Sequence, residues 1–336
     1  MYYSKYIYII FILIILFSSC KNNSLDIDVS DIQVDIKINR FDVELFSIPL
    51  DSIQEYIPSI ENKYGKFFEL YNYKIIKIGG TNNKEYAGYL KSFLTDYLVM
   101  EANKKSKNIF SSIKFLQDDL TDAFKHYKFY FPDKNIPLFY TYISGFNQSI
   151  VTTENFIGIG LDKYLGSNCG FYEQLGLPKY IRSRMHKEKI LSDCLFAWAT
   201  TEFEYNDSIN NLLNNMIYKG KIMYFIDAML PYEPDSLKIG YSQVQLEWCE
   251  KNEEKIWIYF IENKLLFSTE FMDIKRYTDE APFTSTFSHK SPGRTGIWIG
   301  WQIVKSFMKN NPDITIKQLM YEDDYQKILN MSKYNP

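Results

Sequence analysis

Residues 32–38 alternate without a break, with Ile32, Val34, Ile36 and Ile38 on one side and Gln33, Asp35 and Lys37 on the other. A period of two makes this a half-buried strand, whose apolar face requires a layer to pack on. Helices supply that layer. Apolar residues return every three or four positions from Asp51 to about Leu70, from Lys84 to about Ala102 and from Ser111 to about Tyr127, as in amphipathic helices. Pro132 and Pro137 end this run. The β-rich stretches 138–143 and 149–160 are then expected to pair as a hairpin around Gly145 and Asn147. Helical sequence returns for most of the remainder. Ser242 with Gln245 and Thr315 with Gln318 fit the capping box, which places helix starts near 243 and 316. No linker or internal repeat divides the chain. The expected architecture is α+β: one helix-dominated domain over 31–336 with a small antiparallel or mixed sheet.

The N-terminus reads as an export signal. Lys5 precedes an unbroken apolar run from Tyr6 to Phe17, followed by Ser18, Ser19 and Cys20. That run of about twelve residues suits a signal-peptide core and falls short of the ~20 that cross a bilayer. Two small residues before a cysteine resemble a lipoprotein cleavage site, although Phe17 stands where such sites prefer leucine. The expectation is a signal peptide over 1–19, a lipid on Cys20 and a polar tether over 20–30, holding the body on an envelope membrane.

Composition narrows the function classes. Lys and Arg number 38 against 41 Asp and Glu, a net charge of −3, and the only basic run is Lys104, Lys105 and Lys107, so nucleic acid is not an expected partner. Tyr and Phe are abundant, which suits either carbohydrate-stacking platforms or a biased genome in which Lys, Asn, Ile, Tyr and Phe rise together. Cys169, Cys194 and Cys249 are odd in number and far apart, which favours buried free thiols over a disulfide framework.

Motifs that carry chemistry are sparse. The three histidines, His126, His186 and His289, are too far apart for two imidazoles on one helical turn. No G-x-S-x-G elbow is present. Gly158 and Gly160 form a lone G-x-G inside a predicted strand, where close backbone approach is the expected use.

One helix has the spacing of an active-site helix. Around the stretch 216–231, MIYKGKIMYFIDAMLP, the preceding Leu213 and then Gly220, Tyr224 and Asp227 fall at steps of seven, four and three and share a face. An H-E-x-x-H motif laid on it puts Gly220 and Tyr224 in the histidine places and Lys221 in that of the glutamate. Glycine has no ligand atom, neutral tyrosine is a poor zinc ligand, and a lysine ammonium repels the cation. The alternative is packing: Gly220 permits a close crossing, Lys221 lies at the edge and Tyr224 packs its ring. A second candidate is the loop and helix start SPGRTGIWIGW, residues 291–301. Arg294 near a helix N-terminus suits an anionic group or a local carboxylate, and Gly296 and Gly300, four apart beside Trp298, let another backbone approach.

YKGKIMYFIDAMLP, IGIGLDKYLG, FKHYKFYFP and SPGRTGIWIGWQIV together resemble the gliding motility lipoprotein B family, over essentially the whole chain. That family is similar in turn to putative zinc proteases with H-E-x-x-H in place of GKIMY. The resemblance implies a zincin-like fold, with an edge strand within 149–160 running along the cleft. It also implies a cell-envelope lipoprotein required for gliding and tied to the associated secretion machinery, whose proteins would be its partners. Catalysis, a metal and a cofactor are not expected; the alternatives are an envelope hydrolase and a glycan-binding lipoprotein.

Overall fold

The computed structural model describes residues 24–336. The expected leader over 1–19 and Cys20 lie outside the described residues. Of the expected tether, Leu25 packs on the main core and Val29 is buried, so the chain docks before residue 31.

Residues 32–38 follow their alternation in burial but not in pairing. Ile36 and Ile38 are buried and Asp35 and Lys37 exposed, yet only Ile38–Arg40 forms a strand, β1. Among the described residues no strand pairs with those preceding it. The Ile36 N–H donates instead to the Thr121 hydroxyl of a helix, at 3.3 Å.

Three further strands, β2 (Leu138–Tyr142), β3 (Ile150–Thr152) and β4 (Phe156–Gly160), complete a mixed sheet of order β1-β2-β4-β3. β2 runs parallel to both β1 and β4, and only β3 and β4 pair antiparallel. The expected hairpin between 138–143 and 149–160 is therefore replaced by a shorter one inside the second stretch. The cause lies in the loop after β2. The buried Asp162 carboxylate accepts the N–H groups of Ser144 and Phe146 at 3.0 and 2.6 Å, curling the chain through left-handed Gly145 and Phe146 instead of reversing it.

Helices α1 (Phe41–Leu45) and α2 (Ile53–Leu70) lead into a π-helical turn over Tyr71–Ile75. The expected helix over 84–102 is two, α3 (Tyr86–Thr95) and α4 (Tyr97–Ile109). They break at Asp96, whose side chain accepts the Val99 N–H at 3.1 Å and caps the second. α5 spans Lys114–Tyr130. After the sheet come α6 (Gly170–Gln174), α7 (Lys179–Arg182), α8 (Ile190–Glu202), α9 (Leu212–Met229) and α10 (Asp235–Ile239). The chain ends in α11 (Gln243–Glu262), α12 (Phe271–Thr278), α13 (Thr295–Asn310), α14 (Ile316–Tyr321) and α15 (Tyr325–Ser332). Both expected capping boxes form, at the first turns of α11 and α14. The molecule is thus helix-dominated α+β.

The sheet separates two hydrophobic clusters. Phe139, Ile157 and Ile159 face the larger one, built on α9, while Tyr140, Tyr142 and Phe156 face the smaller one, built on α2 and α3. Gly158 and Gly160 admit this aromatic layer: a Cβ on Gly158 would come within 3.0 Å of Phe67 and Tyr142, and one on Gly160 within 2.2 Å of the Gln148 carbonyl. The tyrosines are largely core material; Tyr71, Tyr86, Tyr127, Tyr142, Tyr172 and Tyr277 are fully buried rather than displayed along a groove.

Candidate functional site

α9 is apolar nearly all round, which commits it to the centre of the larger cluster. It packs on α8 and α13 and touches α5, α12, α14 and α15. The closest approach is to α13, where Gly220 and Gly300 remove the side chains between two backbones. A Cβ on Gly220 would meet the Gly300 carbonyl at 2.3 Å, and one on Gly300 would meet the Met216 oxygen at 1.8 Å.

Lys221 is 2% exposed and so does not lie at an edge, contrary to the packing alternative drawn from the sequence. Its ammonium donates to the Glu322 carbonyl at 2.7 Å and lies 5.4 Å from the centre of the Tyr325 ring. Burial lowers its pKa to about 8, against the opposing fields of Asp323 and Glu322.

Tyr224 and Asp227, one turn apart, line the same cavity of about 840 Å³. Burial pushes the Tyr224 hydroxyl above its ordinary pKa, and Asp227 adds to the rise. Asp227 is the centre of a polar cluster inside the apolar helix layer. Its Oδ1 accepts Lys238 Nζ at 2.8 Å and its Oδ2 accepts the Trp301 indole N–H at 2.7 Å. Lys305 Nζ stands 3.7 Å from the same Oδ2, 2.8 Å from Asp235 Oδ2 and 3.8 Å from the centre of the Trp301 ring. Burial raises the Asp227 pKa, and the ammonium groups of Lys305 and Lys238 oppose the rise. Each group that contacts this carboxylate is a donor or a cation, the surroundings an ionised Asp requires when desolvated, while the nearby Asp235 carboxylate adds to the rise in the Asp227 pKa.

Lys238, Trp301, Lys305 and Asp235 did not emerge from the sequence as site residues. A signal was present. A lone aspartate in a buried apolar run demands a partner, and Trp301 and Lys305 lie one turn apart on α13.

The four residues singled out near the start of α13 are placed in packing and ion pairing. Gly296 abuts the Tyr277 carbonyl, where a Cβ would stand 2.8 Å away, and Gly300 is the crossing point with α9. Trp298 is 3% exposed and packs edge-on to Trp301. Arg294 adopts a left-handed conformation at the helix N-cap and donates Nη2 to the Ile239 carbonyl at 2.6 Å. Its Nη1 lies 3.3 Å from Glu280, which also takes a two-pronged ion pair from Arg184.

Among the described residues no three His, Cys, Asp or Glu side chains are grouped so as to hold a metal ion. His126 is buried, while His186 lies 2.9 Å from Glu188 at the surface. Cys169, Cys194 and Cys249 are buried free thiols. The edge strand β3 packs on α8, with Thr152 and Thr201 hydroxyls 2.6 Å apart, and does not line the cavity at Asp227. No helix among the described residues is long and apolar enough to cross a membrane.

Comparison with curated proteins finds no match, and comparison with solved structures finds none. The family model described as gliding motility protein GldB matches residues 22–336, and the chain therefore belongs to this family, that of a lipoprotein of gliding motility associated with the cell envelope.

Proposed function

We propose that the chain is a lipid-anchored envelope component of the gliding machinery, and of the secretion associated with it, that works by binding partner proteins rather than by catalysis. The observation that carries this is how α9 uses the groups an H-E-x-x-H helix would aim at a metal. Gly220 is spent on the crossing with α13, the Lys221 ammonium is turned to the Glu322 carbonyl, and Asp227 is held by Lys238 and Trp301. A zincin-like scaffold of this kind keeps the helix and dispenses with the base and the ligands. Attachment is through a lipid on Cys20, with the body on the periplasmic side.

The test replaces the gene in its host. Deletion is expected to abolish spreading and single-cell gliding, and a copy carrying Tyr224→Phe, which removes the tyrosine hydroxyl that this helix face presents to the cavity, is expected to restore both. Protein purified without chelator is expected to carry no stoichiometric zinc. Normal gliding in the deletion strain overturns the motility assignment. Near-stoichiometric zinc that is lost on a single His or Asp replacement overturns the non-catalytic one.

A further inference from the structure

The described chain enters the fold at the rim of the cavity that Tyr224 and Asp227 line. Ser24 and Leu25 line it together with Tyr224 and Asp227, and the Tyr232 hydroxyl hydrogen-bonds the Asp26 carboxylate. Ser24 is four residues beyond Cys20. A trans chain extends at most about 3.6 Å per residue, so a span of four residues reaches at most about 14 Å. The polar layer on each side of a bilayer is about 5–8 Å deep. A lipid on Cys20 would therefore tether the rim within about 14 Å of the headgroup layer.

The rim carries the residue types that settle at such a surface. Phe129 and Tyr232 are 49% and 75% exposed, and Lys309 and Lys317 are exposed beside them. Inside, lysines and carboxylates are interleaved rather than segregated. Lys305 is shared between Asp235 and Asp227, and Glu233 faces the same space, where burial raises its carboxyl pKa. A purely anionic group would meet these carboxylates, and a purely cationic one the lysines. A group with a phosphate and a primary amine a few ångströms apart satisfies both, and only an amine with N–H groups can hydrogen-bond the carboxylates.

We propose that this cavity opens onto the bilayer that holds Cys20 and takes the phosphoethanolamine headgroup of a membrane phospholipid, Lys305 and Lys309 meeting its phosphate and Glu233 and Asp235 its amine. This rests on Cys20 being the lipid-bearing residue.

The full-length lipidated protein is reconstituted into phosphatidylcholine vesicles, with or without added phosphatidylethanolamine or phosphatidylglycerol. A fluorophore is placed on Lys317→Cys at the rim or on Asn82→Cys, in the layer beyond the sheet. Cys169, Cys194 and Cys249 are buried, so the introduced thiol takes the label. Headgroup-spin-labelled lipid is expected to quench the Lys317→Cys probe several-fold more than the Asn82→Cys probe. Phosphatidylethanolamine is expected to deepen that quenching, and Glu233→Gln to remove the deepening while leaving the difference between the two positions. Equal quenching at both positions overturns the orientation. A response to phosphatidylglycerol equal to or greater than that to phosphatidylethanolamine overturns the headgroup assignment. Two labels per chain in place of one identify a free Cys20 thiol, which overturns the lipid attachment and this inference with it.

Discussion

Gly300 lies directly on the carbonyl of Met216, so that a Cβ built on it would stand 1.8 Å from the oxygen and 2.4 Å from the carbonyl carbon. The obstructing atoms are backbone in the buried helix α9, and no rotamer change relieves them. Overpacking in a close-packed core costs about 1–3 kcal/mol, and Gly300→Ala is expected at or above the top of that range because α9 and α13 must separate. Gly88 in α3 has no neighbour within 4 Å of a built Cβ, so Gly88→Ala is expected to be neutral or to stabilise by up to about 1 kcal/mol. Chemical denaturation of the two variants checks the contrast.

The Asp227–Lys238 pair is buried on both sides, with side chains 6% and 4% exposed. Removing one partner leaves the other charge in the helix layer with weaker compensation, Lys305 and Trp301 for Asp227 and Asp235 for Lys238, so Lys238→Met is expected to destabilise toward the lower end of about 3–5 kcal/mol, and Asp227→Leu by a similar amount. The double variant removes both charges, although Lys305 and Trp301 keep donors pointed at the vacated place. Its loss is therefore expected to be clearly smaller than the sum of the two single losses. A double-mutant cycle by denaturation measures the difference, and simple additivity would contradict the coupling.

Local signals were legible in the sequence; pairings between distant segments were not. Ser242 with Gln245 and Thr315 with Gln318 announced two helix starts because a capping box is complete within four residues. Gly220 and Gly300 announced a close crossing, although neither names the other. The parallel pairing of β2 with β4 could not be read, because β3 intervenes and the loop is set by Asp162, far beyond it in sequence. The site divides the same way. Tyr224 and Asp227 were visible from helical spacing, whereas Lys238 and Lys305 reach Asp227 from α10 and α13 and become its partners only in the fold.

The three thiols should be silent in the native protein. Burial pushes the pKa of Cys194 well above the ordinary thiol value and raises that of Cys249, which suppresses the reactive thiolate, and Cys169 is 5% exposed. A thiol-specific reagent at pH 8 is expected to modify none of them within minutes and all three after denaturation. Rapid native labelling of Cys194 or Cys249, located by peptide mass, would contradict their place in the core.

Lys221 makes stability depend on pH in a defined direction. Its folded pKa of about 8 lies below the ordinary lysine value of 10.5. Below pH 8 both folded and unfolded chains carry the ammonium, and its desolvation penalty is fully present. Between pH 8 and 10.5 the unfolded chain binds the extra proton, so stability rises with pH across that window. Buried tyrosines work against the rise above pH 10, because their unfolded forms ionise first. The comparison therefore belongs between pH 7.5 and 9.5, against Lys221→Met, which does not titrate. The stability of the native chain relative to this variant is expected to improve by about 2 kcal/mol over that interval, at about 1.4 kcal/mol for each pH unit above 8. Denaturant midpoints measured for both proteins at several pH values decide it; a constant difference would show that Lys221 keeps an ordinary affinity for its proton in the fold.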